Sequence, residues 1–572
     1  MKYIYLFIFF LMFNTRVYSQ WSTDPSVNIR VTNGGLLPQI ITDGSGGAYI
    51  VYQDSPALLR QVWVQWLDKY GFVRFPDNGI RISNADRYQT PYYYLVSDRA
   101  GGVIVVFNYF LLEGDEDTGE RFFAVYAQRI DSSGTKLWGD AGIEVSPLAD
   151  DKSAVSACSD GENGVFVFWG EDDDSNGAFE LRAQRITAAG QFAWPDTGVV
   201  VTDKFIFDNI SNPNPAVSDG ARNAIILYSD SSQTDFDTRL QKLSAEGEFL
   251  WGEGVSIFQV GRHIIADNSG GVIVAGVRRE FDGISVQYIV GANRVDASGQ
   301  VLWGERGIEL VNSLRREPQA PRMTLDSHNR LYCVWSDKRT DTLNVYLQRL
   351  GPGGGSLLKD SGLPVSRVKS EKGNAFVFCN DESGVTVVFG DNREPDGFYA
   401  QKIDSLGNRG WNGEDILISA RLPRPPMQVT SDLAGGAILC WYETGVGSGF
   451  GIFAQQVSRN GNLGEILVTS VSQPHESHMP TQYILHQSYP NPFNAEMMIK
   501  YEIPESNLVT LTIYDITGKE VIRLINKNQG PGVYKARWNG KNQKGGDVAS
   551  GIYIYQLRTG SFVANKKAIF IK

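Results

Sequence analysis

Alternating hydrophobic and polar positions, broken by short turns, run through most of the chain. In "YAQRIDSSGTKLWGDAGIEVS" (126–146), Tyr126, Gln128 and Ile130 fall on one face of an extended segment, because strand side chains alternate with period two. A Ser/Gly turn, a tryptophan and a second alternating stretch follow, which predicts a strand, a hairpin and another strand. The phrase returns about every 55 residues, from Ala183, Leu240, Ala292 and Ala400, with weaker copies from Val64, Leu347 and Ala454. That makes eight copies.

A second phrase precedes each copy: an Asp, a short Gly-containing turn, an apolar run and usually an aromatic, as in "SDGENGVFVFWGED". Its acids are Asp43, Asp98, Asp160, Asp219, Asp267, Asp326, Asp381 and Asp432. The aromatic nine residues on is Tyr52, Phe107, Trp169, Tyr228, Trp335 and Trp441; Gly276 takes that place in the fifth unit, and Phe389 comes one residue early in the seventh. Each unit therefore reads as four antiparallel strands. Such a unit has two bare faces and two edges, and stacking copies around an axis buries the faces. The pattern predicts an all-β chain whose residues 20–469 form an eight-bladed β-propeller, with seven blades as the alternative. The stretch "WSTDPSVNIRV" near the start matches "WGDAGIEVS", with Trp21 in the place of Trp138, and the last copy lacks its Trp. The N-terminal strand is thus expected to complete or abut the last blade.

The recurrent residues have structural readings. The eight Asp side chains should accept hydrogen bonds from backbone N–H groups of the following turn, as in Asx-turns; the alternative is a ring of acidic ligands. The Trp and Tyr residues should form core between blades, the alternative being platforms for sugars. The Asp-then-Gly turn loosely resembles the Asp-box of sialidase-like propellers, but its spacing differs and no catalytic role is carried over.

At 572 residues the chain is too long for one ordinary core. Its net charge of −11 argues against nucleic acid as a partner. The charge is uneven, however. Residues 484–572 hold 12 Lys and Arg against 6 Asp and Glu, so this tail is expected to be a separate module beyond a polar linker, 470–483. The opening "MKYIYLFIFFLMFNTRVYSQ" has a Lys, an apolar run from Ile4 to Phe13 and a small residue at Ser19, the pattern of a secretory signal peptide over 1–19. No later run is long enough to span a bilayer, so no transmembrane segment is expected. The four cysteines, Cys158, Cys333, Cys379 and Cys440, lack zinc spacing and read as buried small hydrophobes, or as one or two disulfides between units.

Two loops depart from the repeat and are strongly acidic: Glu113–Glu120 and Gly170–Glu180. In the second, Asp172, Asp174, Asn176 and Gly177 match the first half of a calcium loop, while the acid at the twelfth place is missing and Glu180 would have to substitute. Calcium is the one cofactor suggested; the other reading is a solvated hairpin tip. Ligand specificity is expected on the rim carrying these loops. Motifs for catalysis are absent: no G-x-S-x-G, no H-E-x-x-H, and only five His, three of them in or near the linker.

In the tail, "YPNPFN" (489–494), "LTIYDITGKEV" and "WNGKNQKGGDVASGIYIYQL" accompany alternating strands of a small sandwich. Together they resemble the type A C-terminal sorting domain of the type IX (Por) secretion system, which has the Ig-like fold of flagellar hook-capping proteins. The matching residues are Pro490, Asn491, Pro492, Phe493, Gly518, Gly551 and Tyr553, with Lys572 closing a basic strand. The resemblance covers 484–572 and implies that the translocon of Bacteroidota-type bacteria is a partner. It further implies a protein secreted, or held at the outer cell surface, by way of the periplasm. The combined expectation is a non-catalytic binding or adhesion propeller for an extracellular glycan or protein. A polysaccharide-acting enzyme with a propeller catalytic domain is the alternative.

Overall fold

The computed structural model describes residues 20–571 except 55–60, 77, 83–87, 114–119, 146–151, 174–177, 206–214, 231–236, 258–260, 282, 284, 315, 360, 380–383, 421–426, 444–450, 465–482, 486–487, 489–492, 494–496, 505–506, 530–531 and 561. The chain divides into two compact units, Met1–Thr469 and Ser470–Lys572. Regular structure among the described residues is all strand, apart from a 3-10 turn at Trp411–Gly413.

Among the described residues the first unit holds eight antiparallel groups of four strands, spanning 36–81, 88–144, 152–205, 216–257, 261–314, 319–364, 372–419, and 428–457 joined by 29–30. The third and fourth groups are linked into one sheet through Phe205 and Asp230. The second group is typical: Tyr88–Ser97, Val103–Glu113, Glu120–Ile130 and Ile143–Glu144 pair in sequence order. The first strand of each group touches the first strand of the next, and the series closes from Gln428–Ser431 back to Leu36–Thr42. This ring is the β-propeller that the repeat predicts.

The core lies between groups rather than within them. Val105 and Phe107 of the second group pack with Val51 and Val64 of the first, while Ile104 and Val106, on the opposite face, pack with Val165 and Trp169 of the third. Eight such clusters occur, one per junction. Period-two alternation in a strand buried on both faces sends successive side chains to different neighbours. That explains why the second strands read as unbroken apolar runs. The eighth junction closes the ring: Trp21 and Val31 pack with Ala48 and Ile50 of the first group and Ile438 and Ile452 of the eighth. Ile29 and Arg30 pair with Ala454 and Phe453, supplying the fourth strand that the last copy lacks.

The tail is a two-layer sandwich. One sheet holds Ile484–Leu485, Met497–Ile503 and Gly532–Trp538; the other holds Glu520–Gln529, Asn507–Asp515, Gly551–Thr559 and Phe562–Phe570. Glu520–Gln529 ("EVIRLINKNQ") alternates weakly in sequence. It is an edge strand that shows mostly polar and basic groups to solvent, which masks its alternation.

Candidate functional site

A polar frame recurs beneath the apolar core. The Oδ1 atom of Asp98 accepts the N–H groups of Ala100 (2.8 Å) and Gly102 (2.6 Å). The same two-bond turn forms at Asp43, Asp160, Asp219, Asp267, Asp326 and Asp432; Asp381 lies outside the described residues. The other carboxylate oxygen takes a cation from the third strand of its own blade: Arg129 to Asp98 (2.9 Å), Arg185 to Asp160 (3.1 Å), Lys242 to Asp219 (2.9 Å) and Arg294 to Asp267 (2.9 Å). The residue before each cation is a buried amide. Gln128 donates to Gly139 O (2.6 Å) and accepts from the N–H of Arg129 (3.0 Å) and of Trp138 (3.2 Å), clamping the hairpin to its strand.

The frame also ties each blade to the next. The Trp138 indole donates to Ala188 O of the third blade (3.2 Å), and Arg129 Nη1 donates to the same oxygen (3.1 Å). Trp194 and Arg185 repeat this at Ala245 O, as do Trp303 and Arg294 at Pro352 O. The turn glycine two residues further on lies against the indole: a Cβ on Gly190, whose φ is +78°, would meet Trp138 at 2.8 Å. Only glycine fits that approach and that backbone angle.

In the eighth blade the cation is replaced by Gln456, which donates to Asp432 Oδ2 (3.1 Å). Burial therefore prevails and raises the Asp432 carboxyl above its usual range. At Asp219 burial acts in the same sense but is outweighed by hydrogen bonds from Asn223 and Lys242, and the carboxyl is lowered. A raised carboxyl holds its proton better in the folded state, so its contribution to stability declines as pH rises from the unfolded value through the folded one. Gln456→Arg should reverse the sign, with stability present above the unfolded value and lost on acidification below it. Thermal melts of the two proteins should diverge as pH rises through the carboxylate range, reaching a gain of about 1 kcal/mol near neutrality.

Both bridging donors are lost from the first blade, and a pocket of about 340 Å³ opens between it and the second. Trp66 stands where six other blades carry Arg or Lys and the eighth carries Gln456, and Phe75 stands where five carry Trp and the sixth carries Leu358. The Trp66 indole N–H is spent on Asp43 Oδ2 (3.0 Å), and the Phe75 side chain has no polar hydrogen. Ser132, the counterpart of Ala188, thus faces neither of the donors that close the gap elsewhere, and it lines the pocket with Asp43, Ser45, Trp66, Ser97 and Arg99. Trp66 is half-buried and stacked on Tyr49, with ring centroids 5.9 Å apart and an interplanar angle of 23°. Tyr49 is fixed by donation to Gly101 O (2.6 Å). The exposed Arg99 guanidinium makes no hydrogen bond or ion pair among the described residues. An anchored indole, a free guanidinium, a carboxylate and serine hydroxyls around this volume suit one sugar ring: apolar C–H faces stack on aromatics and hydroxyls take the polar groups.

The residues singled out in the sequence are distributed as follows. Of the calcium candidates, Asp172 is the penultimate residue of the strand Val165–Asp173, Asp174 and Asn176 lie outside the described residues, and Glu180 accepts from Arg182 (2.7 Å). The hairpin stays paired out to Asp173 and Ala178, and that of the Glu113–Glu120 loop out to Glu113 and Glu120. No cluster of metal-ligating side chains occurs among the described residues. The four cysteines are free thiols, which corrects the disulfide alternative: Cys158, Cys333 and Cys440 are buried in three different apolar clusters, and Cys379 is half-buried with its thiol directed at Gly384 O (3.8 Å). In the tail, Pro490, Asn491, Pro492 and Lys572 lie outside the described residues. Phe493 is buried; its N–H donates to Ile569 O (2.9 Å) and its carbonyl accepts from Ile571 (2.8 Å). Gly518 takes φ +84° in the turn after Asp515, Gly551 opens the strand Gly551–Thr559, and Tyr553 packs edge-on against Trp538 at 4.9 Å. Among the described residues no helix is long and apolar enough to cross a membrane. Sequence reasoning missed the pocket at Trp66. Its signal was present in the copy "VQWLDKYGFVRF", whose Trp and Phe displace Arg and Trp.

The ring is a β-propeller, and behind it in the sequence comes an Ig-like domain. Residues 493–561 match the FlgD Ig-like domain family. No curated protein matches the chain. Among solved structures it is similar to a protein of unknown function from Dyadobacter fermentans DSM 18053 (8% identity, 65% of this chain and 95% of that chain, TM-score 0.33). It is also similar to the β-propeller domain of the Trilobed protease from Pyrococcus furiosus (11%, 64% and 95%, 0.35) and to the Bombyx mori GH32 beta-fructofuranosidase BmSUC1 (10%, 61% and 84%, 0.26).

Proposed function

We propose that this protein is a β-propeller exported through the type IX secretion system to the cell surface or medium, where it binds an extracellular glycan without turning it over. The binding reading is carried by Trp66: where the repeat gives up both bridging donors, a pocket opens beside an anchored indole. Export is supported by the resemblance of the tail's ordered motifs to type IX sorting domains. Against hydrolysis of a polysaccharide, the usual mechanism needs two carboxylates free to act on one glycosidic bond. The buried carboxylates of the Asp turns are engaged by turn N–H groups and side chains.

Trp66→Arg puts the repeat's own residue back and gives Ser132 its missing donor. On a glycan and matrix-protein array, residues 20–572 should bind a restricted set of glycans, with or without EDTA. Trp66→Arg should weaken that binding at least about tenfold, the loss of one stacked contact of 1.4 kcal/mol or more, while the melting temperature stays within about 2 °C. Release of shortened saccharide by the unmodified protein would refute the non-catalytic reading.

A further inference from the structure

The first strands of the blades face the ring axis, and their registers slip at a common level. Pairing with the second strand shifts immediately before Gln39, Ser156, His263, Arg322 and Phe376. Bulges of this kind re-aim side chains and gather beside functional sites. Here they bring three groups from adjacent blades together. Arg322 stacks its guanidinium over Phe376 of the seventh blade, 5.0 Å from the ring centroid. On its other side is the fifth blade, where His263 feels the charge of Arg322.

Neither polar group is satisfied. Arg322 is half-buried deep in the ring, and no carboxylate, hydrogen-bond acceptor or ion-pair partner meets it among the described residues. Burial alone pulls it down to about 10. His263 Nδ1 is buried without a partner. Burial first, then the Arg322 charge, holds the ring down at about 3, so it is neutral at physiological pH and one ring nitrogen carries a hydrogen that it can donate. Other deeply buried cations among the described residues of the ring meet carboxylates, as Arg185 meets Asp160 and Arg278 meets Glu280 and Glu309. An unmatched guanidinium beside an unmatched imidazole is costly to keep unless something anionic is brought to it.

We propose that the axis of the ring is a second binding site, for a small carboxylate, with the Arg322 fork on the two carboxylate oxygens, His263 donating a further hydrogen bond and Phe376 holding the guanidinium plane. A forked guanidinium matches a planar carboxylate bidentately, which a lysine would not do. This site is separate from the pocket at Trp66 and does not depend on the glycan reading.

The test uses residues 20–572 with sodium glucuronate as probe, neutral glucose as control, and inorganic phosphate as a competing anion of different shape, read by calorimetry and thermal shift. Glucuronate should bind saturably and raise the melting temperature; glucose should not. Arg322→Met should weaken glucuronate at least tenfold, and Arg322→Lys should fail to restore it. In the absence of any ligand, Arg322→Met should melt at or above the unmodified protein, because it removes an unmatched charge; a merely structural arginine would give the opposite shift. Trp66→Arg should leave glucuronate binding unchanged. The proposal is overturned if glucuronate does not bind, if phosphate binds while glucuronate does not, or if Arg322→Met binds as before.

Discussion

Removing residues 20–32 should cost the ring most of its stability and expose it to self-association. The lost segment does three things at once. Its strand gives the eighth blade its outer edge, with Ile29 and Arg30 paired to Ala454 and Phe453 and Val31 N–H donating to Ile452 O (2.8 Å). Trp21, buried to 3% exposure, donates its indole N–H to Lys69 O of the first blade (3.0 Å) and lies against Gly71, as Trp138 does against Gly190. Asn28 reaches Ser419 Oγ of the seventh blade (3.2 Å). Trp21→Ala alone should cost about 3–5 kcal/mol, the usual range for a buried tryptophan. The deletion removes Val31 and the strand pairing as well, which together approach the whole margin of 5–15 kcal/mol typical of a folded domain. It also leaves Gly451–Val457 as an unpaired edge, a template for other chains. Denaturant unfolding should show Trp21→Ala with a lowered midpoint close to that of Trp138→Ala, its counterpart between the second and third blades. Size-exclusion chromatography should show the deletion alone forming oligomers. A deletion that unfolds at the normal midpoint and stays monomeric would mean that the ring does not depend on this closure.

The ring was legible because each blade performs the same packing task, and the sequence repeats the solution. The Asp turns, the second-strand apolar runs and the Trp at most junctions can be read from spacing alone. The pair of an amide and a cation in the third strand, Gln or Asn followed by Arg or Lys, was visible in every strong copy, yet its purpose was not, since the partner carbonyl of Arg129 or Arg185 lies some 60 residues away on the next blade. The pocket at Trp66 is the reverse case: it is a departure from the repeat in one copy, detectable only once the role of the displaced Arg and Trp is understood. The axial groups were harder still. The first strands are short and bulged, so the period-two rule fails just before His263 and Arg322, and two ordinary-looking residues in different copies give no sign that they meet. The acidic loops stood out by charge, but composition says nothing of geometry, and Glu180, the one described ligand candidate with a described side chain, is taken by Arg182.

Deleting residues 484–572 should leave the protein in the periplasm, with its leader removed and its ring folded. The ring and the tail are separate compact units, so the truncation should keep its cooperative melt and whatever ligand the Trp66 pocket binds. Export alone should be lost, seen by fractionating cells that carry a type IX translocon and blotting periplasm, surface and medium. A second variant asks what such a translocon reads. Phe493 leaves the "YPNPFN" prolines untouched when changed, but its ring packs between Trp538 (5.4 Å) and Phe570 (4.8 Å), joining the first motif to the last strand. Phe493→Ala should destabilise the sandwich by about 3–5 kcal/mol, a large share of what a core of this size supplies. If the folded surface is the signal, this variant should be retained in the periplasm like the truncation; a linear signal would let it pass. The packing favours the folded surface, because Phe493, Tyr553 and Trp538 come from distant parts of the tail and form one cluster only when the two sheets are closed. Normal export of the truncation would overturn the sorting assignment altogether.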